Sequence, residues 1–299
     1  MKAIHQASLL KNRALAPQLY EMELLAPQMA SVSKPGQFVM VRIGENQDPL
    51  LRRPFGLAGI DPESGRIRLV YQVVGRGTDQ MSHWRTGRTV DVLGPLGNGF
   101  TWTEDPGRVI LAGGGLGIAP LLPLAQALRS AGKEVTVFLG SRTESLLFGI
   151  PEFSELGCEL QLATEDGSQG FKGFLTTPLE HFLCAQALDA VFLKAKEASE
   201  AGAGHAHVHT HAMLREGMKE TGFHQLYACG PSPFLKVIGN LSSRYGLPAQ
   251  LSFEERMACG VGACMGCAIQ IKNPDGSLKT SRVCSDGPVF TGEEVHWNG

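Results

Sequence analysis

The stretch "RMACGVGACMGCAIQI", residues 256–271, holds Cys259, Cys264 and Cys267 with glycines between them, and Cys284 follows in "SRVCSDGPVF", residues 281–290. The spacing is Cys-x4-Cys-x2-Cys, with sixteen residues before the fourth cysteine. This is the plant-type pattern of a [2Fe–2S] cluster. A loop that wraps a cluster needs positive φ angles, and Gly260, Gly262 and Gly266 are expected to supply them. Its backbone N–H groups can then point at the sulfurs. The alternative is structural zinc on four cysteines. Zinc sites usually pair two short knuckles, and here there is one knuckle and a longer gap.

Residues 251–299 carry all four of these cysteines. A piece so small buries too little apolar surface to stand alone, and a cluster would staple it. The chain has seven cysteines, an odd number with four clustered. That is unlike a secreted disulfide scaffold and favours metal or cluster ligation in a reducing compartment.

Upstream, residues 104–250 alternate strands and helices. "RVILAGGG" (108–115) is an apolar strand running into glycines. "APLLPLAQALRSAG" (119–132) reads as a helix closed by Gly132. "EVTVFLGSR" (134–142) and "CELQLATEDG" (158–167) are further strands. "HQLYACGPSPFLKVIGNLSSRYG" (224–246) repeats strand, turn and helix. This is the pattern of a parallel α/β nucleotide-binding domain. Residues 184–222 read as an insertion in it. There Leu188, Val191, Phe192 and Ala195 share one helical face, and His205, His207, His209 and His211 alternate. Alternating imidazoles suit a metal, but an exposed inserted loop is the simpler expectation.

Residues 1–103 are β-rich. "GQFVMVRI" (36–43) and "GRIRLVYQVVG" (65–75) are strand-length, and Ile67, Leu69, Tyr71 and Val73 alternate onto one face. Turn signals recur between such runs, as in a small antiparallel Greek-key β-barrel. The fold class expected is therefore an antiparallel barrel, a parallel α/β domain and a small β-rich C-terminal cluster domain.

The net charge of −2 and the lack of a basic stripe argue against nucleic acid. No apolar run reaches about 18 residues, so no spanning helix is expected. Lys11 and Arg13 interrupt the N-terminal apolar stretch, which makes a poor signal peptide. The chain is expected in the cytoplasm.

"LAGGGLGIAPLLPLA" (111–125) places Gly113, Gly114, Gly115 and Gly117 before Pro120 at a helix start. Exposed N–H groups and the helix dipole there favour a pyrophosphate, although a tight turn would also use glycines. "YACGPSPF" (227–234) ends another strand of the same sheet, so both loops can face one cleft at the carboxyl ends of the strands. Cys229 would lie near a nicotinamide, or be a buried structural cysteine. In the barrel, "LRRPFGLAG" (51–59) and "VVGRGTDQMS" (73–82) suit phosphate contacts, Arg53 by charge and Gly77 with Thr78 by N–H and hydroxyl donors.

Taken in order, "RRPFGLAGI", "VYQVVGRGT", "GPLGNGF", "GGGLGIAPL", "YACGPSPF", "EERMACGVGACMGC" and "VCSDGPVF" span nearly the whole chain. The chain resembles the ferredoxin–NADP reductase-like flavoproteins, and among them the electron-transfer subunits of type B dihydroorotate dehydrogenases. The resemblance implies FAD contacts from Arg53, Pro54, Phe55 and Gly56, from Val70, Tyr71 and Gln72, and from Gly77 and Thr78. It implies NAD contacts from Gly113, Gly114, Gly115, Gly117 and Pro120, and from Cys229, Gly230 and Pro231. It carries the cluster over to Cys259, Cys264, Cys267 and Cys284. Two departures stand out. The family usually has serine where this chain has Gly56, and a shorter segment at 184–222.

FAD exchanges two electrons with NAD and one at a time with a [2Fe–2S] cluster. The resemblance therefore implies an oxidoreductase subunit with no side chain acting as acid or base. It implies a partner catalytic subunit whose FMN handles dihydroorotate, in a heterotetramer, with net flow from dihydroorotate to NAD in pyrimidine synthesis. A reductase subunit serving a hydrogenase, ferredoxin or oxygenase is the alternative of the same class. A zinc-stabilised nucleotide sensor without turnover is the alternative of another class.

Overall fold

The structure is a computed structural model that describes residues 2–44, 49–200 and 210–297. Six strands close the expected antiparallel barrel: β1 (Ala3–Ala16), β2 (Leu19–Leu25), β3 (Phe38–Val41), β4 (Arg53–Asp61), β5 (Arg66–Gln72) and β6 (Thr89–Leu96), in the order β1-β2-β5-β4-β3-β6. Alternation explains its interior. Ile67, Leu69 and Tyr71 of β5 point inward with Leu9, Met22, Val39 and Val92, and Val73 packs against the same cluster. Two short helices decorate the barrel, α1 (Pro27–Ala30) and α2 (Arg76–Ser82).

The second unit is a seven-stranded sheet. Its strands are β7 (Arg108–Gly114), β8 (Glu134–Ser141), β9 (Glu159–Thr164), β10 (Phe171–Lys172), β11 (Phe223–Gly230), β12 (Ala249–Phe253) and β15 (Val289–Thr291), in the order β10-β9-β8-β7-β11-β12-β15. Every pairing is parallel except β12 with β15. Near-continuous apolar runs in β7 and β8 fit strands covered on both faces. The covering helices are α3 (Leu121–Ser130), α4 (Ile150–Glu155), α5 (Thr176–Glu200), α6 (Thr210–Glu220) and α7 (Ser232–Tyr245). Gly132 and Gly246 follow α3 and α7 at φ +75° and +64°, a left-handed conformation that glycine adopts without Cβ strain.

The long helix α5 packs against α6. Gly217 of α6 permits it, because a Cβ there would overlap the Ala187 carbonyl oxygen of α5. The buried face of α5 runs through Leu179, Leu183 and Ala187, with Leu188 partly buried beside it. Phe192, expected on the same face, is instead 67% exposed, and Leu193 is 64% exposed. The helix there has outrun the sheet it packs on. His211 lies in α6, whereas His205, His207 and His209 lie outside the described residues.

The chain then forms a small hairpin, β13 (Ala268–Lys272) with β14 (Leu278–Arg282), before β15 returns to the edge of the large sheet. The returning segment is tied to the barrel at Asn98. Its N–H donates to the Gly287 carbonyl at 2.6 Å, and its Nδ2 donates to the Asp286 carbonyl at 2.9 Å. The cysteine loop is thus held between barrel and sheet.

Candidate functional site

Two clefts meet between the barrel and the sheet. The first, about 590 Å³, is lined by Arg53, Pro54, Phe55, Gly56 and Val70 of the barrel and by Pro120 and Cys229 of the sheet unit. The second, about 540 Å³, is lined by Gly114, Gly115 and Pro231 at the carboxyl ends of β7 and β11, and by Gln72 of the barrel. Leu116 lines both. The two glycine-bearing loops therefore do face one space. Their contact is close: a Cβ on Gly117 would overlap the Cys229 carbonyl oxygen. Gly113 and Gly114 lie within β7, and a 3₁₀ turn, Gly115–Ile118, leads from there to Pro120, which caps α3.

Two of the expected contact residues are engaged within the protein. Tyr71 is fully buried in the barrel, where its hydroxyl donates to Asn12 Oδ1 at 2.9 Å and its ring stacks on Tyr20. Burial pushes its phenol above the usual range. Period-2 alternation sends Tyr71 inward, while Val70 lines the first cleft and Gln72 the second. The Thr78 hydroxyl accepts from the Val74 N–H and donates to the Gly75 carbonyl, both at 3.0 Å. It closes its own turn and leaves the backbone N–H groups of Gly77 and Thr78 at the head of α2.

The two adjacent arginines divide their roles. Arg52 is bound through both terminal nitrogens by Asp91, at 2.8 and 3.1 Å. Arg53 donates to the Leu51 carbonyl at 2.7 Å and has no carboxylate partner among the described residues. A Cβ on Gly77 would lie 3.4 Å from Arg53 Nε, so the guanidinium rests against the start of α2. Cation and helix N-terminus together favour a phosphate oxygen.

The Cys229 thiol is buried in the wall of the first cleft. Burial, and then the Glu254 carboxylate, push its pKa well up against the opposing hydrogen bonds of Ser252 and Gly230, so it stays protonated.

Of the four expected cluster cysteines, Cys259, Cys264 and Cys267 lie in the loop before β13, and Cys284 lies in the turn after β14. Burial raises the Cys259 thiol, but hydrogen bonds from the N–H groups of Val261, Cys264 and Ala263 and from the Cys264 side chain outweigh it and bring its pKa down to about 6. The Ala263 N–H lies 3.3 Å from Cys259 Sγ, and the Cys284 N–H lies 3.4 Å from Cys267 Sγ. Burial, with the Cys267 side chain next, holds Cys284 up at about 12. Among the described residues no three His, Cys, Asp or Glu side chains form a group able to hold one metal ion. The Cys-x4-Cys-x2-Cys spacing with Cys284 beyond suits a two-iron cluster better than the paired knuckles of zinc. Gly260 and Gly262 take positive φ, +70° and +88°. Gly266 does not: Met265 carries that turn at φ +58°, so the residue before Gly266 makes the bend expected of the glycine.

The structure also adds wall residues that motif reading passed over. Arg256 and Met257 line the first cleft three and two residues before Cys259. Arg142, Glu165 and Phe174 line the second, beyond the carboxyl ends of β8 and β9. The rule that ligands sit at those ends would have found them.

Barrel, parallel sheet and shared cleft define the fold of the ferredoxin reductase class. A ferredoxin NADP+ reductase from Neisseria gonorrhoeae with bound FAD and NADP superposes with a TM-score of 0.59 over 81% of this chain and 92% of its own, at 16% identity. A chain of the NADH-dependent reduced ferredoxin-NADP oxidoreductase reaches 0.73 over 98% and 90%, at 31% identity. The profile of the iron–sulfur cluster binding domain of dihydroorotate dehydrogenase B matches residues 254–296. Two relatives bear the name dihydroorotate dehydrogenase B (NAD(+)), electron transfer subunit. The one from Desulforamulus reducens is 35% identical over 99% of this chain and all of its own length, and the one from Geobacillus thermodenitrificans is 38% identical over 96% of each. The chain belongs to the family of dihydroorotate dehydrogenase B electron transfer subunits.

Proposed function

We propose that this chain carries electrons between NAD and a partner dihydroorotate dehydrogenase subunit, with FAD in the first cleft, NAD in the second and a [2Fe–2S] cluster on Cys259, Cys264, Cys267 and Cys284. The observation that carries this reading is a shared wall. Met257 lines the first cleft two residues before Cys259. On the other side, a Cβ on Gly260 would lie 2.6 Å from Met40 Cγ, and Met40 pairs with Pro54 of the cleft in the barrel sheet. Cleft and cysteine loop are one strand apart.

Bound FAD supplies the conversion between the two-electron chemistry of NAD and the one-electron chemistry of an iron–sulfur cluster. The protein supplies placement. Arg53 and the N–H groups at the head of α2 hold the diphosphate. Pro54, Phe55, Gly56 and Val70 form the barrel wall against the ring system. Gly114 and Gly115, with the turn leading into α3, hold the NAD pyrophosphate. Pro120 and the loop Cys229, Gly230 and Pro231 set the place where nicotinamide meets flavin. With Cys229 protonated and buried, no side chain there is required as an acid or base.

The partner is the FMN-containing catalytic subunit, in a heterotetramer that works in pyrimidine biosynthesis, with electrons flowing from dihydroorotate to NAD. The described residues include no helix long and apolar enough to cross a membrane, and a cytoplasmic setting is part of the proposal. Co-expression with a dihydroorotate-oxidising flavoprotein tests it. The pair should reduce NAD with dihydroorotate, and each subunit alone should not. The likeness to the NADH-dependent reduced ferredoxin-NADP oxidoreductase supports a second reading with a ferredoxin-type acceptor. NADH-dependent ferredoxin reduction, with none of dihydroorotate's electrons reaching NAD, would favour it.

A further inference from the structure

We propose that Arg282 is the positioning residue of the four-cysteine site: its guanidinium ties the loop of Cys259 and Cys264 to the turn of Cys284, and its charge holds the cluster's reduction potential up. The inference rests on the reading of these cysteines as cluster ligands.

Arg282 ends β14, two residues before Cys284. Its Nε and Nη2 donate to the two oxygens of Asp286, each at 3.2 Å, and its backbone N–H donates to Asp286 Oδ2 at 2.8 Å. Asp286 lies two residues beyond Cys284, so this double contact folds the fourth-ligand turn on itself. The remaining nitrogen, Nη1, donates to the Gly262 carbonyl at 2.9 Å. Gly262 stands midway between Cys259 and Cys264. One planar group therefore holds both halves of the site, which arrive from segments twenty residues apart.

The approach is close on both sides. A Cβ on Gly262 would come within 2.8 Å of Ser285 Oγ and 3.6 Å of Arg282 Nη1. The five N–H donors of arginine, in a fixed plane, suit a carboxylate on one edge and a carbonyl on the other. A lysine ammonium cannot satisfy both edges at once. The same charge is fixed at the Gly262 carbonyl, two residues from Cys264, and two residues before Cys284 in the chain. Reduction adds an electron to the cluster, so a fixed cation beside it favours the reduced form and raises the potential.

The experiment uses the full-length, cluster-loaded chain and three variants. Iron and sulfide content, the rate of cluster loss to a chelator, and the midpoint potential from an EPR-monitored redox titration are measured. Arg282→Gln should lose the cluster about 10–100-fold faster, the usual effect of removing a partner of a metal ligand shell, and its potential should fall. Arg282→Lys should also lose the cluster faster but keep a potential near that of the parent. Asp286→Asn loosens the same clamp while leaving the arginine charge less compensated, so its potential should rise. Wild-type chelator resistance in Arg282→Gln and Arg282→Lys, or potentials that fail to move in opposite directions in Arg282→Gln and Asp286→Asn, would overturn the proposal. If Arg282→Gln takes up no cluster, the comparison of Arg282→Lys with Asp286→Asn decides. A parent chain without a [2Fe–2S] signal would sink the ligand assignment and this proposal together, which distinguishes that failure from a failure of Arg282 alone.

Discussion

Gly56 of β4 packs against the ring of Pro120 at the head of α3, so closely that a Cβ on Gly56 would lie 2.8 Å from Pro120 Cγ. Barrel and sheet meet at this contact, in the wall of the first cleft. The proline ring stands where any side chain at this position would begin. Gly56→Ser should force the two units apart or push the ring out of its pucker. Overfilling a packed contact costs about 1–3 kcal/mol. The expected result is a lower melting temperature and weaker FAD retention. A variant as stable as the parent, with tighter FAD, would show that the contact yields freely.

Serine at any one of Cys259, Cys264, Cys267 or Cys284 should remove most of the iron and sulfide. NADH oxidation with an artificial two-electron dye should persist, because the nucleotide cleft and the first cleft need none of these thiols. Iron analysis and a visible spectrum check this. Full cluster content in Cys284→Ser would remove that residue from the ligand set.

Arg53→Ala should release FAD on dilution. An arginine–phosphate hydrogen bond contributes roughly 1.5–3 kcal/mol, which corresponds to at least a tenfold weaker Kd. Arg52→Ala should leave FAD affinity nearly unchanged but lower the melting temperature, since it strands Asp91 without its bidentate partner. Flavin fluorescence after gel filtration separates the two. The reverse pattern would exchange their roles.

Glu21 is buried in the barrel wall, where Lys11, Arg13 and Arg68 converge on its carboxylate at 3.0, 2.8 and 3.2 Å. Arg68 also reaches Glu152 of α4 at 3.2 Å, so the network joins barrel to sheet. Burial raises the Glu21 pKa, but the hydrogen bonds from Arg13 and Lys11 and the nearby positive charges prevail and hold it below the ordinary value of 4.5. A carboxylate depressed in the folded state binds fewer protons there than when unfolded. Its contribution is therefore present above pH 4.5 and disappears as the pH falls through the folded value. Glu21→Gln should cost about 1–3 kcal/mol at neutral pH. The gap in melting temperature between parent and variant should close under acid. A gap independent of pH would contradict the ion-pair account.

Much of this protein was legible because local chemistry repeats. Glycine-bounded strands, the helix closed by Gly132 and the spacing of Cys259, Cys264, Cys267 and Cys284 each depend on neighbours in the chain. Alternation correctly placed Ile67, Leu69 and Tyr71 on one face. The same rule, carried one step further, would have turned Tyr71 away from the cleft and left Val70 there. Helical periodicity failed at Phe192 because it reports which residues share a face but not how far the packing surface extends beneath them.

The sequence alone determined the element types and the order of barrel, sheet and cluster segment, since these follow from short-range sterics, hydrophobic periodicity and cysteine spacing. Only the tertiary structure decided which arginine is engaged by Asp91 and which faces α2. Only it brought Gly56 against Pro120, Met257 to the shared wall and Arg282 to the Gly262 carbonyl. These depend on distances between segments far apart in the chain, and such distances are fixed by how barrel and sheet pack as whole bodies, which no local pattern encodes.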